Sequence, residues 1–355
     1  KGIALDTGLH YVGGLAPGNA LYPIFKYMNL MNLPWQHLDA EGFDRVMIGE
    51  KNFAYAEGLD AFVDTLAKDF PSERAGLQQY ADIMREIGKH LHDAILPRDE
   101  VNFFNTSLFG KSAYEILNQT FHDPLLRNVL CGSSLKMELD KETLPLYTFA
   151  QGNNSFIESS WRLKGDGSML VESLVRDIRS MGGEVICNSG VEELIEKDGQ
   201  LVAARTVNGE LYEADWFISD THPTVTVDLV KESTRIRKVY RRRIHSLSNT
   251  YGMYTVSLII KPNTLKYFNW NQYIYKKPNV WTYYREDGPV SGILVCCRVP
   301  EDGSPYTRYV DIVTPMLWDE VAQWSNTTVG HRGDEYVAFK ERKANECITL
   351  AETFI

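Results

Sequence analysis

Residues 161–220 read WRLKGDGSML VESLVRDIRS MGGEVICNSG VEELIEKDGQ LVAARTVNGE LYEADWFISD, and the periodicity of this stretch changes several times at sharp turn signals. Leu170, Val171, Leu174, Val175 and Ile178 recur at helical spacing. Arg176 and Arg179 come late in the run and Gly182-Gly183 just after it, which predicts an amphipathic helix with a glycine stop. Glu184–Cys187 then reads as a short strand. Three further β-type runs follow at Val191–Ile195, Leu201–Val207 and Leu211–Ile218. Lys197-Asp198-Gly199 and Asn208-Gly209 supply the positive φ that tight hairpins need, so these runs predict an antiparallel meander whose last strand ends at Ser219-Asp220. A helix feeding a strand, a meander and a returning strand is the order around which the other segments are arranged.

The chain has 355 residues, enough for two domains with separate cores. A formal net charge of -10 argues against nucleic acid as a partner, because phosphate binding draws on clustered Lys and Arg. No apolar run approaches the roughly 20 residues of a membrane-spanning helix. Five cysteines without metal-type spacing read as reduced thiols of a cytoplasmic protein, with Cys296-Cys297 as core residues of an apolar strand.

Upstream, KGIALDTGLHYVGGL starts as a short strand and breaks into Gly8, Gly13 and Gly14, with His10 and Tyr11 between them. A helical run follows from Asn19, with Pro23 in its first turn. Trp35–Leu38, Asp44–Ile48 and Lys51–Ala56 predict a small antiparallel sheet. Leu59–Leu96 predicts two helices separated at Phe70-Pro71-Ser72, the second striped by Leu77, Tyr80, Ile83, Met84, Ile87, His90 and Leu91. Residues 101–150 form a mainly helical insertion, including Ser112–Phe121 and Pro124–Cys131. Thr221–Ser246 is helical and ends basic at Arg241-Arg242-Arg243, which reads as a solvated face. Five late strands are expected, at Tyr254–Lys261, Gln272–Tyr275, Val280–Tyr284, Gly292–Val299 and Tyr309–Met316. A helix over Asp334–Ile355 closes the chain.

The sequence holds no P-loop, HExxH, GxSxG or Gly-x-Gly-x-x-Gly. Gly165-Asp166-Gly167 reads as a turn, and Asp220 as a cap for the helix after it. His90 and His92 point to different sides of a helix, so with Asp93 they read as helix-face residues and no metal site is assigned.

Taken together, DTGLHYVGGL, the 161–220 stretch and the helical end resemble the flavin-dependent phytoene desaturase, carotenoid isomerase and retinol saturase group. The resemblance implies an α/β (α+β) fold: part of a FAD/NAD(P)-binding Rossmann-like domain with a β-meander, plus a substrate domain of antiparallel sheet and helical insertion. Residues 1–18 with 161–225 would be the partial FAD domain, and 19–160 with 226–355 the substrate domain. Gly8, Leu9 and His10 would pass the isoalloxazine ring, the Val191 backbone would meet the adenine, and Ser219 and Asp220 would end the strand returning to the cofactor. His10 and Tyr11 are the catalytic candidates.

The family's Gly-x-Gly-x-x-Gly turn and its late glycine-rich segment have no counterpart in the sequence. The expectation is therefore an internal fragment of a longer FAD-dependent oxidoreductase, inactive alone, with NAD(P) a further candidate for the full-length protein. The implied substrate is a long apolar polyene or lipid-like molecule, undergoing desaturation, saturation or isomerisation, with peripheral membrane contact. The alternative is a non-catalytic substrate-binding or interaction module, a flavoprotein fragment unable to hold FAD.

Overall fold

The computed structural model of the protein describes residues 8–95 and 110–355, the side chains of residues 90–95 excepted. In chain order, strand β1 (Val12–Gly13) leads to helix α1 (Tyr22–Tyr27), then β2 (Trp35–His37), β3 (Asp44–Ile48) and β4 (Lys51–Tyr55). Helices α2 (Leu59–Asp69), α3 (Arg74–Ile95), α4 (Ala113–Thr120), α5 (Pro124–Val129) and α6 (Leu146–Glu158) follow, then β5 (Ser160–Leu163) and α7 (Ser168–Ser180). The meander is β6 (Val191–Lys197), β7 (Gln200–Thr206) and β8 (Leu211–Glu213). After α8 (Pro223–Leu229) and α9 (Lys238–His245) come β9 (Gly252–Ile259), β10 (Asn271–Tyr275), β11 (Gly292–Cys297), β12 (Tyr309–Met316) and α10 (Asp334–Ala351).

Two compact units divide the chain, one running up to Leu174 and resuming at Thr250–Ile355, the other Val175–Asn249. The first is built on a six-stranded sheet of order β4-β3-β10-β11-β12-β9, antiparallel except where β3 and β10 run parallel. Every residue of β10 and β11 is buried, because both sheet faces are covered. One face carries Val46, Tyr273, Tyr275, Leu294 and Val313 against the α2–α6 helices; on the other, Ile274, Ile293, Val295 and Ile312 meet Cys347, Leu350 and Ala351 of α10. The predicted α3 stripe is real: Leu77, Met84 and Ile87 are fully buried, worth roughly 1.5–3 kcal/mol each. Ser112 and Asp123 cap α4 and α5 by accepting from the amides of Glu115 and Leu125. Beside the large sheet lies a small one of order β1-β5-β2.

The second unit is the meander β6-β7-β8 with α8 and α9. Asp198 and Gly199 both have positive φ, so the β6–β7 hairpin closes through the two-residue turn that the sequence predicts. Gly182 takes φ 85°, and the Gly183 amide returns to the Ile178 carbonyl, which stops α7. The Arg241 guanidinium donates to the carbonyls of Val227 and Val230 at the end of α8, so one of the three consecutive arginines is structural.

Several expectations are corrected. Trp35–Leu38 does not pair with its neighbours in sequence: β2 pairs with β5, while β3 and β4 form one edge of the large sheet. Glu184–Cys187 is not a strand, and β8 stops at Glu213, leaving Trp216 and Ile218 89% and 99% exposed. An apolar run becomes a strand only beside a partner, and among the described residues none pairs with either segment. Val280–Tyr284 is a buried turn leading into a short 3-10 helix; it is apolar because it packs in the core, and its Val280 amide donates to Asn128 Oδ1. The helix predicted over Thr221–Ser246 is interrupted between α8 and α9, and the α8 cap is His222, which accepts from the Thr224 amide, rather than Asp220. The first seven residues and the side chains of His90, Leu91, His92 and Asp93 lie outside the described residues.

Candidate functional site

The Gly8–Tyr11 segment is drawn into the first unit by β1. Val12 and Gly13 pair with Trp161 and Ser160, and the Gly14 amide donates to the Ser159 carbonyl. Gly13 is required by close approach: a Cβ there would stand 2.5 Å from the Ser155 carbonyl carbon and 2.6 Å from the Phe156 nitrogen, both backbone atoms of α6. This tight crossing fixes the ring of Tyr11 against Phe156, with centroids 4.5 Å apart.

The Tyr11 hydroxyl lies 3.0 Å from Asp44 Oδ2 and 2.8 Å from the Tyr273 hydroxyl. Asn271 Nδ2 donates to Asp44 Oδ1 at 2.8 Å, and Cys296 Sγ donates to Asn271 Oδ1 at 3.3 Å. The sheet register explains this cluster. Tyr55, Asp44, Asn271, Cys296, Asp311 and Ser257 are successive cross-strand neighbours, so a row of mainly polar side chains crosses one end of the sheet. The Ser257 hydroxyl donates to Asp311 at 2.6 Å, and Arg298 pairs with the same carboxylate at 3.2 Å.

Arg162, from β5, ties the row to the segment above it. Its buried guanidinium donates to the carbonyl of Cys297 at 2.5 Å, to that of His10 at 3.3 Å, and to Asn271 Oδ1. Leu9, His10, Arg162, Cys296, Cys297 and Asp311 surround a narrow cleft of about 20 Å³. A wider cleft of about 400 Å³ beside α10 is lined by Arg285, Glu320 and Lys343, but its cations are already paired: Lys343 with Glu320, and Arg285 with Glu138 and Asp140.

Burial pushes the Asp44 carboxyl up to about 6, against the opposing pull of Lys136, Asn271, Tyr11 and Arg162. Burial first, and then the Asp44 charge, raises the Tyr11 phenol well above its usual range; Tyr273 is raised by burial and by Tyr11. At neutral pH Tyr11 therefore keeps its proton beside a carboxylate that is itself only weakly acidic. Such a pair can orient a polar group or hold a proton at the phenol oxygen.

Of the residues named from the sequence, Gly8 is exposed, Leu9 and His10 are half-buried, and Tyr11 sits in the polar cluster. Val191, Ser219 and Asp220 belong to the second unit. Val191 opens β6 opposite Thr206, the Ser219 hydroxyl bonds to those of Thr221 and Thr226 at 3.1 and 2.7 Å, and Asp220 is exposed. Gly165-Asp166-Gly167 is a turn, its Asp166 carboxylate accepting from the Ser168 amide at 2.8 Å. Asp44, Arg162, Asn271 and Tyr273 went unnoticed in the sequence. The available signal was polar residues placed within strands that are otherwise apolar, as in Asp44-Arg-Val-Met-Ile and Trp-Arg162-Leu.

No family model matches the chain. Among solved structures it is similar to an oxidoreductase from Methanosarcina mazei, with TM-score 0.60 and 14% identity over 96% of this chain and 72% of that one. A protein from Pyrococcus furiosus gives TM-score 0.56 and 13% identity over 97% and 72%. These likenesses show a shared mixed α/β fold. Among curated proteins, the all-trans-retinol 13,14-reductase of Rattus norvegicus is 21% identical over 96% of this chain, and that of Danio rerio 23% over 56%. The chain is similar in sequence to these two retinol 13,14-reductases, at 21% and 23% identity. It spans 62% and 36% of the length of these two relatives.

Proposed function

We propose that the chain supplies the flavin-ring side and the substrate wall of a flavin-dependent oxidoreductase acting on a long apolar polyene or lipid-like molecule. The observation that carries this reading is the Tyr11–Asp44–Tyr273 cluster, because its Tyr11 lies on the segment that resembles the family's flavin-side motif. The named reaction of the curated relatives, reduction of all-trans-retinol, supports the substrate class.

Leu9, His10 and the buried Arg162 line a cleft of about 20 Å³, too small for the flavin ring, so the ring-side reading rests on the resemblance of the Gly8–Tyr11 segment, which the tight Gly13 crossing holds in place. Gly8, Leu9 and His10 would hold the ring. The chain contains no Gly-x-Gly-x-x-Gly turn for the pyrophosphate. Bound FAD would supply the hydride chemistry. The protein's own part is to orient the substrate and keep a proton on the Tyr11 oxygen beside Asp44.

The test is a visible spectrum of the purified chain after addition of FAD and desalting. A retained flavin band that weakens on His10→Ala is expected. An intact fold that carries no flavin would count against this reading and in favour of a binding module.

A further inference from the structure

We propose that the cleft between α4, α5 and the turn after β10 binds a phosphate monoester with a small apolar or aromatic ester group, its phosphate held by Arg127 and Lys141. The site shares no lining residue with the cleft beside Arg162 and goes beyond the function proposed above.

The cleft has a volume of about 310 Å³, the size of a small-molecule pocket. Tyr114 and Asn118 reach it from α4, Arg127 from α5, Lys141 from the segment before α6, and Trp281 from the turn beyond β10. Each cation is oriented by a neutral group. Arg127 Nη1 donates to Asn118 Oδ1, and Asn118 is itself held because its Nδ2 donates to the Tyr114 carbonyl at 2.7 Å. The Lys141 ammonium stands 4.9 Å from the centre of the Tyr114 ring, which packs edge-on against Trp281 with centroids 5.1 Å apart. The supports of both cations therefore meet at Tyr114.

No carboxylate lines this cleft, and among the described residues neither cation is in an ion pair. Glu286, whose partners Asn279 and Thr282 do line it, accepts from Asn279 Nδ2 at 2.7 Å and from the Thr282 hydroxyl at 3.3 Å, and lines the wider cleft beside α10 instead. In a chain of net charge -10, two uncompensated positive groups in one recess favour an anion over a neutral ligand. Arg127 gives one of its five donors to Asn118, which leaves its planar fork able to take phosphate oxygens in charge-assisted bonds, and the three Lys141 donors are not taken up by any described group. A phosphate monoester carries about −1.5 to −2 charges at pH 7, so it matches two cations where a carboxylate matches one. Leu117, Pro124, Pro278 and Trp281 line the rest of the cleft and suit a ring or short apolar chain on the ester.

The experiment titrates the full chain with phenyl phosphate, inorganic phosphate, benzoate and benzyl alcohol by isothermal calorimetry at low salt. Phenyl phosphate is expected to bind about tenfold or more tightly than each of the other three, with an affinity that falls as salt is raised. Arg127→Met and Lys141→Met should each weaken it about tenfold, and the double variant should abolish saturable binding. Lys238→Met, which removes an exposed cation of α9 outside the cleft, should change nothing. Circular dichroism reports folding, and because Lys141 is exposed, Lys141→Met tests the site even where Arg127→Met disturbs α5. Binding that survives the double variant, an equal loss in Lys238→Met, benzoate or inorganic phosphate binding as tightly as phenyl phosphate, or no saturable binding at millimolar concentrations would overturn the proposal. Flavin retention enters none of these outcomes, so they stand apart from the test of the proposed function.

Discussion

The Tyr11 hydroxyl and the Asp44 carboxylate stand 3.0 Å apart across 33 residues of sequence, with Tyr11 one residue before the glycine-containing β1 and Asp44 opening β3. Their bond joins the small sheet to the large one at the point where the polar row crosses it. A carboxyl so placed makes the stability of the chain depend on pH in a direction unusual for aspartate.

Asp44 binds its proton more tightly folded than unfolded, because burial raises it from 3.8 to about 6. In that window the native state holds more protons than the unfolded one, so this group's contribution falls as pH rises from about 4 to about 6. The rise corresponds to about 3 kcal/mol at most. Asp44→Asn, which cannot ionise, should gain on the parent by up to that amount between pH 4 and pH 7. Paired urea melts at the two pH values measure it, and a constant difference would show that Asp44 ionises freely.

Gly13→Ala should destabilise the chain by about 1–3 kcal/mol, since the atoms a methyl would meet are α6 backbone and cannot swing aside. Gly8→Ala, with nothing within 4 Å of the new Cβ, should change stability little. Chemical denaturation of the pair checks the contrast. Equal effects at the two positions would refute the close-crossing account.

Arg162→Met removes the donors that bond the His10 and Cys297 carbonyls and the Asn271 side chain, leaving buried acceptors unpaired. A loss of about 3–5 kcal/mol is expected, by analogy with breaking a buried charged network. Arg162→Lys should recover only part of it, because an ammonium lacks the planar fork that reaches several acceptors at once. The readout is the midpoint of thermal or urea unfolding.

Cys187 is exposed, while Cys131, Cys296, Cys297 and Cys347 are buried. Burial pushes Cys296 and Cys297 up to about 12 and Cys347 to about 11. A thiol reagent at pH 8 should therefore label one cysteine quickly in the native chain and all five in denaturant. Fast native labelling that survives Cys187→Ser would contradict the burial assigned to the other four.

Local pattern carried the elements whose geometry is set by near neighbours. The α7 helix and its Gly182 stop, the Asp198-Gly199 hairpin and the long α3 stripe all follow from spacing and turn chemistry within a few residues. What spacing cannot encode is which distant strand lies alongside which. The parallel pairing of β3 with β10, separated by more than two hundred residues, sets Asp44 against Asn271, and Tyr11 then closes on both Asp44 and Tyr273. The same limit explains Glu184–Cys187 and Val280–Tyr284: both read as strands because they are apolar, and neither has a strand beside it among the described residues. The sequence by itself determined helices such as α3 and α7, the tight turns and the family likeness. The tertiary structure alone decided the polar row and the site built on it, because hydrogen bonds across a sheet depend on register between strands, and register is a property of the packed chain.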